Sequence, residues 1–203
     1  MRLWRSTSGN LGSWEEVAKF QGWDTSSSSF ETFKGALYVG SEWIISETGE
    51  TLPAQILRSY DGVNWESVII AGFGDLTNIN VYGLEQKASY LYAGTGSFEG
   101  GGDIWRTKDG VNWQPITTDG LGNLNNLAFG FVTYQNLLYT YSVNFDGILV
   151  YSSKDGVRWT PASEPGLGDS RNIVIWYERG RVVFKGGLYM SAGAGGVYKL
   201  AKP

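Results

Sequence analysis

The sequence predicts an all-β protein, folded as a small β-propeller of about four blades. The first observation is a signature that occurs three times, at Ser59–Trp65, Thr107–Trp113 and Ser153–Trp159, with its aspartates 48 and 46 residues apart. The second is composition: the 203 residues include 29 Gly, 9 Trp and 12 Tyr, and no stretch has the period of a long amphipathic helix. A period of this length with four strands per unit is typical of a β-propeller.

Each unit has the same order of elements. A Gly-rich segment and an Asn precede an apolar first strand, which a turn joins to a second strand beginning Leu-Tyr; a variable loop, the third strand, the signature and the Trp-led fourth strand follow. The first strands are predicted at Ser29–Phe33, Ile79–Leu84, Leu127–Thr133 and Ile173–Tyr177, and the second strands begin at Leu37, Leu91, Leu138 and Leu188.

The predicted domain is one propeller over residues 1–203, with units at about 20–70, 71–118, 119–162 and 163–203 plus 1–19. Leu3–Ser6 and Trp14–Val17 match a third and a fourth strand, so the N-terminal and C-terminal strands are expected to close the ring together. Val197–Leu200 also matches a third strand, which leaves one strand surplus. It is either an extra outer strand, or the ends exchange between chains in a homo-oligomer.

The signature is typical of a tight turn between two strands. Its Asp accepts backbone N–H bonds, its Gly adopts positive φ, and its Trp packs under the turn. Because these groups recur in each unit, we expect them to serve the fold. They are Ser59, Asp61, Gly62, Trp65, Thr107, Asp109, Gly110, Trp113, Ser153, Asp155, Gly156 and Trp159.

This turn resembles the Asp-box (bacterial neuraminidase, BNR) repeat, Ser-x-Asp-x-Gly-x-Thr-Trp. One residue is missing here between Asp and Gly, and Asn64, Asn112 or Arg158 stands in place of the Thr. The resemblance implies the sialidase-like superfamily in fold only, since the Asp-box occurs in sialidases, other glycosidases, sorting receptors and non-catalytic binding propellers. It also favours an extracellular or surface-associated location.

Composition excludes several functions. A net charge of −4 without a basic cluster disfavours nucleic acid, and the lack of a long apolar run disfavours membrane insertion. With no Cys and no His, thiol chemistry and the commonest general base are excluded. We therefore expect no metal and no cofactor.

The arginines argue against a sialidase-like active site. Such sites use three converging arginines, but Arg5, Arg58 and Arg106 are repeat positions. Of the others outside the repeat series, Arg158 lies in a signature turn, and three more lie within eleven residues of one blade (Arg171, Arg179 and Arg181), so a converging triad from separate blades cannot be assembled. The acidic group Glu42, Glu47 and Glu50 is expected to be solvated surface charge. The chain is accordingly expected not to be an enzyme.

The loops opposite the signature turns contain aromatic residues beside Asn and acidic residues, a combination suited to sugar recognition. The candidate ligand-binding residues are Trp43, Glu47, Phe98, Glu99, Asp103, Asn144, Phe145 and Asp146. We expect a non-catalytic binding module that recognises a glycan or a protein surface. The alternatives are a glycoside hydrolase of the sialidase-like clan, and a structural or assembly subunit of a surface or virion structure.

Overall fold

Antiparallel strands make up nearly all of the regular structure. The computed structural model describes residues 1–23, 29–173, 181–192 and 196–199. Within them the helical elements are two short 3₁₀ turns, Gly72–Gly74 and Pro165–Gly168. None of the described helices has the length and apolarity needed to cross a bilayer. The all-β prediction is confirmed.

The strands are β1 (Arg2–Ser6), β2 (Trp14–Lys19), β3 (Ser29–Phe33), β4 (Ala36–Gly40), β5 (Ile44–Ile45), β6 (Thr51–Leu52), β7 (Ile56–Ser59), β8 (Glu66–Ile69), β9 (Asn80–Lys87), β10 (Tyr90–Gly96), β11 (Ile104–Thr107), β12 (Trp113–Thr117), β13 (Ala128–Tyr134), β14 (Leu137–Val143), β15 (Val150–Ser153), β16 (Thr160–Pro161), β17 (Arg181–Phe184), β18 (Gly187–Ala192) and β19 (Gly196–Lys199).

Three four-stranded meanders form the body of the molecule. Meander 1 is β3-β4-β7-β8, meander 2 is β9-β10-β11-β12 and meander 3 is β13-β14-β15-β16. Meanders 2 and 3 are joined into one sheet through the pair Gly96–Ala128. The turn between β13 and β14 has positive φ at both Gln135 and Asn136, a geometry that matches the twist of paired strands.

The chain ends form two further sheets. β1 and β2 make the N-terminal hairpin, and β17, β18 and β19 make the C-terminal sheet. β19 therefore takes the third-strand place beside β18, while β1 pairs with β2 in a sheet of its own. Ring closure by the two ends stays a prediction.

One local expectation needs correction, and a second lies almost wholly outside the described residues. The loop after Ser41 contains the additional hairpin β5–β6, since Ile44 and Ile45 pair with Leu52 and Thr51. In the C-terminal sheet the described strand before β18 is β17, while the sequence predicts a first strand at Ile173–Tyr177. Apart from Ile173, that expected strand lies outside the described residues.

The core lies between neighbouring meanders. One buried cluster combines Phe33, Tyr38 and Ile56 of meander 1 with Val81 and Leu91 of meander 2. Each sheet is thus apolar on the faces that meet its neighbours, as in stacked sheets generally. This packing explains why the central strands of meanders 2 and 3 are buried along most of their length.

Asparagines connect each meander to the next. Asn78, Asn126 and Asn172 are at most 1% exposed, and their amide nitrogens donate to the carbonyls of Gly72, Gly120 and Gly166 at 3.0, 2.8 and 2.8 Å. Their backbone carbonyls accept from the preceding unit, as when Ala54 donates to Asn78 at 2.7 Å. The Gly-rich segment before each first strand is therefore a structural joint.

The signature turns have the hydrogen bonds that the sequence predicts. In the first, the Ser59 hydroxyl accepts from the Gly62 N–H at 2.8 Å, and Asp61 accepts from Val63 and Asn64 at 2.8 and 2.7 Å. Gly62 has a φ of 76°. Asp109 and Asp155 accept the equivalent bonds in the other two turns.

Candidate functional site

The signature turns and the long loops lie at opposite ends of the strands. In meander 1, Leu37 at the start of β4 pairs with Ser59, while Gly40 at its end pairs with Ile56. The loop between β4 and β7 is thus at the far end from the turn that follows Ser59. The same pairing in meanders 2 and 3 puts residues 97–103 and 144–149 at that end, which we call the loop face.

Two predicted aromatic residues meet on the loop face. Trp43 follows β4 of meander 1 and Phe98 follows β10 of meander 2, with ring centroids 6.1 Å apart in an edge-to-face arrangement. Phe98 is 52% exposed and Trp43 is half-buried. Together they form an aromatic wall across the joint between the two meanders.

The predicted binding carboxylates Glu47 and Glu99 are exposed. Glu99 follows Phe98, and its backbone N–H donates to the Ser97 hydroxyl at 3.0 Å. Glu47 lies on the β5–β6 hairpin, where it accepts from Gln21 at 3.5 Å. Glu99 is adjacent to the aromatic wall in sequence, while Glu47 belongs to the outer hairpin.

Asp103 and Asn144 are bonded inside the molecule. Asp103 is 4% exposed and accepts from the Asn78 amide at 2.7 Å and the Trp105 indole at 3.3 Å; burial raises the pKa of its carboxyl group. Asn144 donates to Asn126 at 2.8 Å. Both side chains stabilise the joints between meanders.

Phe145 and Asp146 lie in a separate place, on the loop of meander 3. Phe145 is 55% exposed, and Asp146 accepts from the Asn125 amide at 2.6 Å. The structure therefore divides the predicted set among a wall at meanders 1 and 2, the joints, and a third loop.

Asn80 was missed by sequence reasoning. It begins β9 opposite Gly96 and is 1% exposed, yet both its amide nitrogen and its amide oxygen lack a hydrogen-bond partner among the described residues. A buried amide in this state costs about 1–3 kcal/mol and requires an explanation. One feature of the sequence could have identified Asn80. The matching position in meander 3 is Ala128, so Asn80 is a polar residue at a position where another unit has a small apolar one.

Of the other unpartnered groups, which include Nε of Arg106, three differ from Asn80 in being repeated. The buried indole nitrogens of Trp65, Trp113 and Trp159 also lack partners in the described part of the chain. They occupy one equivalent position in all three signature turns, so the fold accounts for them. Asn80 has no such equivalent in meander 3, which marks it as particular to its place.

Glu42 corrects the expectation of a solvated acidic group. It is 3% exposed, whereas Glu47 and Glu50 are exposed. Glu42 follows Ser41, whose carbonyl accepts from the Val81 N–H at 2.7 Å, so the Glu42 and Asn80 backbones lie on neighbouring segments. The loop face thus has a buried carboxyl group, an unpartnered amide and an aromatic wall at one joint.

A second acidic pair is explained by the fold. Glu31 accepts from the Gln86 N–H at 3.4 Å, and Glu85 accepts from the Thr133 N–H at 2.7 Å. Burial raises the pKa of the Glu85 carboxyl group, and the nearby Glu31 charge adds to that effect. Because both bonds connect the first strand of one meander to that of the next, we assign them to structure.

Two clefts lie away from the loop face. One of about 360 Å³ is lined by Phe73, Trp105 and Trp113 at the outer edges of meanders 1 and 2. The other, of about 290 Å³, surrounds the first signature turn between Arg58 and Glu66. Across the described ranges, no group of three or more acidic residues is arranged to hold a metal ion.

Comparison with known proteins places the fold. No family model and no curated protein sequence matches the chain. Among solved structures it is similar to the GH32 β-fructofuranosidase BmSUC1 of Bombyx mori, with a TM-score of 0.56, 16% identity, and coverage of 83% of this chain and 41% of that one. It is also similar to the sucrose-6-phosphate hydrolase of Lactobacillus gasseri, with a TM-score of 0.53, 14% identity, and coverage of 80% and 38%.

A third similar structure is a glycoside hydrolase, described as putative, from Parabacteroides distasonis, with a TM-score of 0.52, 9% identity, and coverage of 94% of this chain and 71% of that one. At these identities the likeness shows the fold, which is all-β and propeller-like. The chain spans about two fifths of BmSUC1 and of the sucrose-6-phosphate hydrolase.

These comparisons overturn the expectation of a non-catalytic binding module. The structural neighbours are mostly glycoside hydrolases, which favours the alternative that the sequence left open. The argument against an enzyme relied on the arginines of one clan, and that clan's substrate clamp is no requirement for glycoside hydrolysis as such. What such hydrolysis ordinarily requires is a pair of carboxyl groups.

Proposed function

We propose that this chain acts on carbohydrates as a glycoside hydrolase, with its site on the loop face where meanders 1 and 2 meet. The observation that carries the proposal is the buried, unpartnered amide of Asn80 next to the segment that contains Glu42. A sugar hydroxyl both donates and accepts, so one hydroxyl group can satisfy either atom of that amide. The glycosidase-like fold supports the same substrate class.

The proposed roles follow from position. Trp43 and Phe98 offer apolar ring faces on which a sugar ring stacks, with the Phe98 ring half exposed. Glu42 and Glu99 supply the two carboxyl groups, one buried and one exposed, that acid–base cleavage of a glycosidic bond uses. Asn80 orients a hydroxyl group of the bound sugar.

The resemblance to the Asp-box turn belongs to this proposal as well. The hydrogen bonds of all three signature turns support a propeller of the sialidase-like superfamily. The turns lie at the end of the strands away from the loop face. In this proposal they hold the scaffold and take no part in chemistry.

Turnover of a substrate panel tests the proposal. The panel begins with sucrose, because two of the similar structures are named as a β-fructofuranosidase and a sucrose-6-phosphate hydrolase, and continues with 4-nitrophenyl glycosides. We expect hydrolysis of one member. Glu42→Gln and Glu99→Gln should each lower kcat on the order of 10²-fold, the usual contribution of a positioned acid or base.

Glu50→Gln is the matched control, since Glu50 is an exposed carboxylate of the β5–β6 hairpin outside the proposed site. It should leave turnover unchanged, and circular dichroism should show that all three variants are folded. Turnover that survives both Glu42→Gln and Glu99→Gln would refute the assignment of the site. A folded wild-type protein that hydrolyses no member of the panel would refute the activity.

A further inference from the structure

The N-terminal hairpin has the contacts of the outer half of a meander. The Ser6 hydroxyl accepts from the Gly9 N–H at 2.7 Å, as Ser59 does from Gly62, and Gly9 has a φ of 71°. Arg5 pairs with Glu15 across the hairpin at 2.7 Å, as Arg58 pairs with Glu66. β1 and β2 therefore correspond to a third and a fourth strand.

In each complete meander such an outer half has a second strand beside it in fixed register. Leu37 lies opposite Ser59, Leu91 opposite Thr107, and Leu138 opposite Ser153. Among the described strands, β1 has only β2 beside it. The hairpin thus has the third and fourth strands of a meander without the first and second strands.

The tyrosine of the second strand makes a further contact, with the signature turn of the following meander. A Cβ atom built on Gly110 would collide with the Tyr38 hydroxyl, and one built on Gly156 would collide with the Tyr92 hydroxyl. The equivalent Gly62 has nothing within 4 Å. Among the described residues, the first signature turn therefore lacks the tyrosine contact that the other two turns have.

β18 has the sequence of the second strand that the hairpin lacks. It contains Leu188 and Tyr189, and its third-strand partner β19 places Lys199 opposite Tyr189. In the sequence Lys199 is followed by Leu200, whose side chain has no hydroxyl group to accept a turn N–H, whereas Arg5 of β1 is followed by Ser6. Ser6 has that hydroxyl group, so β1 fits the repeat at this edge better than β19 does.

Apolar surface is exposed on both elements. Val182, Phe184 and Val197 of the C-terminal sheet are 56%, 56% and 74% exposed. Trp4 and Trp14 of the hairpin are 49% and 55% exposed. Both elements therefore offer apolar surface that pairing between them would bury.

We propose that two copies of this chain exchange their N-terminal hairpins. The hairpin of one copy displaces β19 and pairs with β18 of the second copy, with Ser6 opposite Leu188 and Arg5 opposite Tyr189. The Tyr189 side chain then lies over Gly62 of the copy that donates the hairpin. A second copy is the occupant because, in the single chain, the hairpin and β18 belong to separate sheets. Reciprocal exchange closes the pair as a symmetric dimer.

Disulfide trapping tests the register, and the chain has no cysteine of its own. In the proposed pairing Trp4 lies opposite Met190. A Trp4→Cys chain mixed with a Met190→Cys chain should therefore form a disulfide-linked dimer on mild oxidation. The matched control mixes Trp4→Cys with Val197→Cys, whose position on β19 is exposed but out of register; it should link at least ~10-fold less.

Sedimentation velocity provides the second measurement. Wild-type protein should show a concentration-dependent dimer. Gly62→Ala should raise the dissociation constant of that dimer at least ~10-fold, because the new methyl group occupies the space that the Tyr189 side chain of the second copy would fill. Gly35→Ala is the control, with a similar φ of 78° and equally open space in the β3–β4 turn, and should leave the constant unchanged.

Three results would overturn the proposal: monomers at every concentration, equal linkage in the control mixture, or an intrachain disulfide in a diluted Trp4→Cys, Met190→Cys double variant. The last result would mean that the chain closes its own ring.

Discussion

Replacement of Asn126 by alanine should destabilise the protein by about 4 kcal/mol. The Asn126 side chain is fully buried and makes three hydrogen bonds, donating to the Gly120 carbonyl at 2.8 Å and the Tyr151 hydroxyl at 3.0 Å, and accepting from Asn144 at 2.8 Å. Leaving the Asn144 amide without this partner in the interior costs about 1–3 kcal/mol, and each other lost bond about 1 kcal/mol. The small cavity adds to the total.

Asn125 is the matched control for this measurement. It is the same residue type one position earlier, but it is exposed and its bond to Asp146 lies at the surface. Asn125→Ala should change the free energy of unfolding by less than about 1 kcal/mol. Urea unfolding of both variants, followed by tryptophan fluorescence, gives the two values. Equal values for the two variants would refute the assignment of Asn126 as the joint between meanders.

Three further predictions follow from the same contacts. Asn80→Ala should leave the free energy of unfolding unchanged or raise it by about 1 kcal/mol, because a buried unpartnered amide is removed. Turnover of the substrate should fall in the same variant. A large decrease in melting temperature would contradict the view that the Asn80 amide has no partner in the folded chain. The Arg158 and Val157 N–H groups lower the pKa of Asp155 to about 2. The contribution of this carboxylate to stability is therefore complete above about pH 4 and disappears as the pH falls toward 2. Between pH 5 and pH 2 the melting temperature of Asp155→Asn should fall less than that of the wild type. Gly156→Ala adds a collision with a tyrosine to the strain of positive φ, at a cost of about 2–4 kcal/mol, whereas an alanine at an open glycine costs only the strain; equal melting temperatures for Gly156→Ala and Gly35→Ala would refute the contact.

The repeat made most of the fold predictable. Turn, strand and joint residues recur at fixed intervals, so a pattern seen once could be checked twice more, and strands such as β4, β10 and β14 begin within one residue of the predicted Leu-Tyr pairs. The β5–β6 hairpin was missed because it has no counterpart in the other units. Sequence periodicity also cannot decide between β1 and β19 at the edge of β18, since both match a third strand.

The candidate site was less accessible to the same reasoning. Asp103 and Asn144 have the composition of ligand-binding residues, but the structure uses both to bond to joint asparagines. Glu42 was grouped with two exposed neighbours, and only the packing of Ser41 against Val81 shows that it is buried. Asn80 is distinguished by the lack of a hydrogen-bond partner for its side chain, and hydrogen-bond partners in the folded chain cannot be identified from the sequence.

The asparagine joints have a consequence for how this chain opens in solution. Each Gly-rich segment is covalently part of one meander, and the side chains of Asn78 and Asn126 bond to Asp103 and Tyr151 of that same meander. The backbone of the segment bonds to the meander before it, where the Ala54 and Gly102 N–H groups donate to the carbonyls of Asn78 and Asn126. The units that exchange amide protons together should therefore straddle the covalent repeat boundaries. A circular permutant cut between a Gly-rich segment and its first strand would leave that segment covalently joined to the preceding meander, whereas a cut between a fourth strand and the following segment would leave only hydrogen bonds between the two.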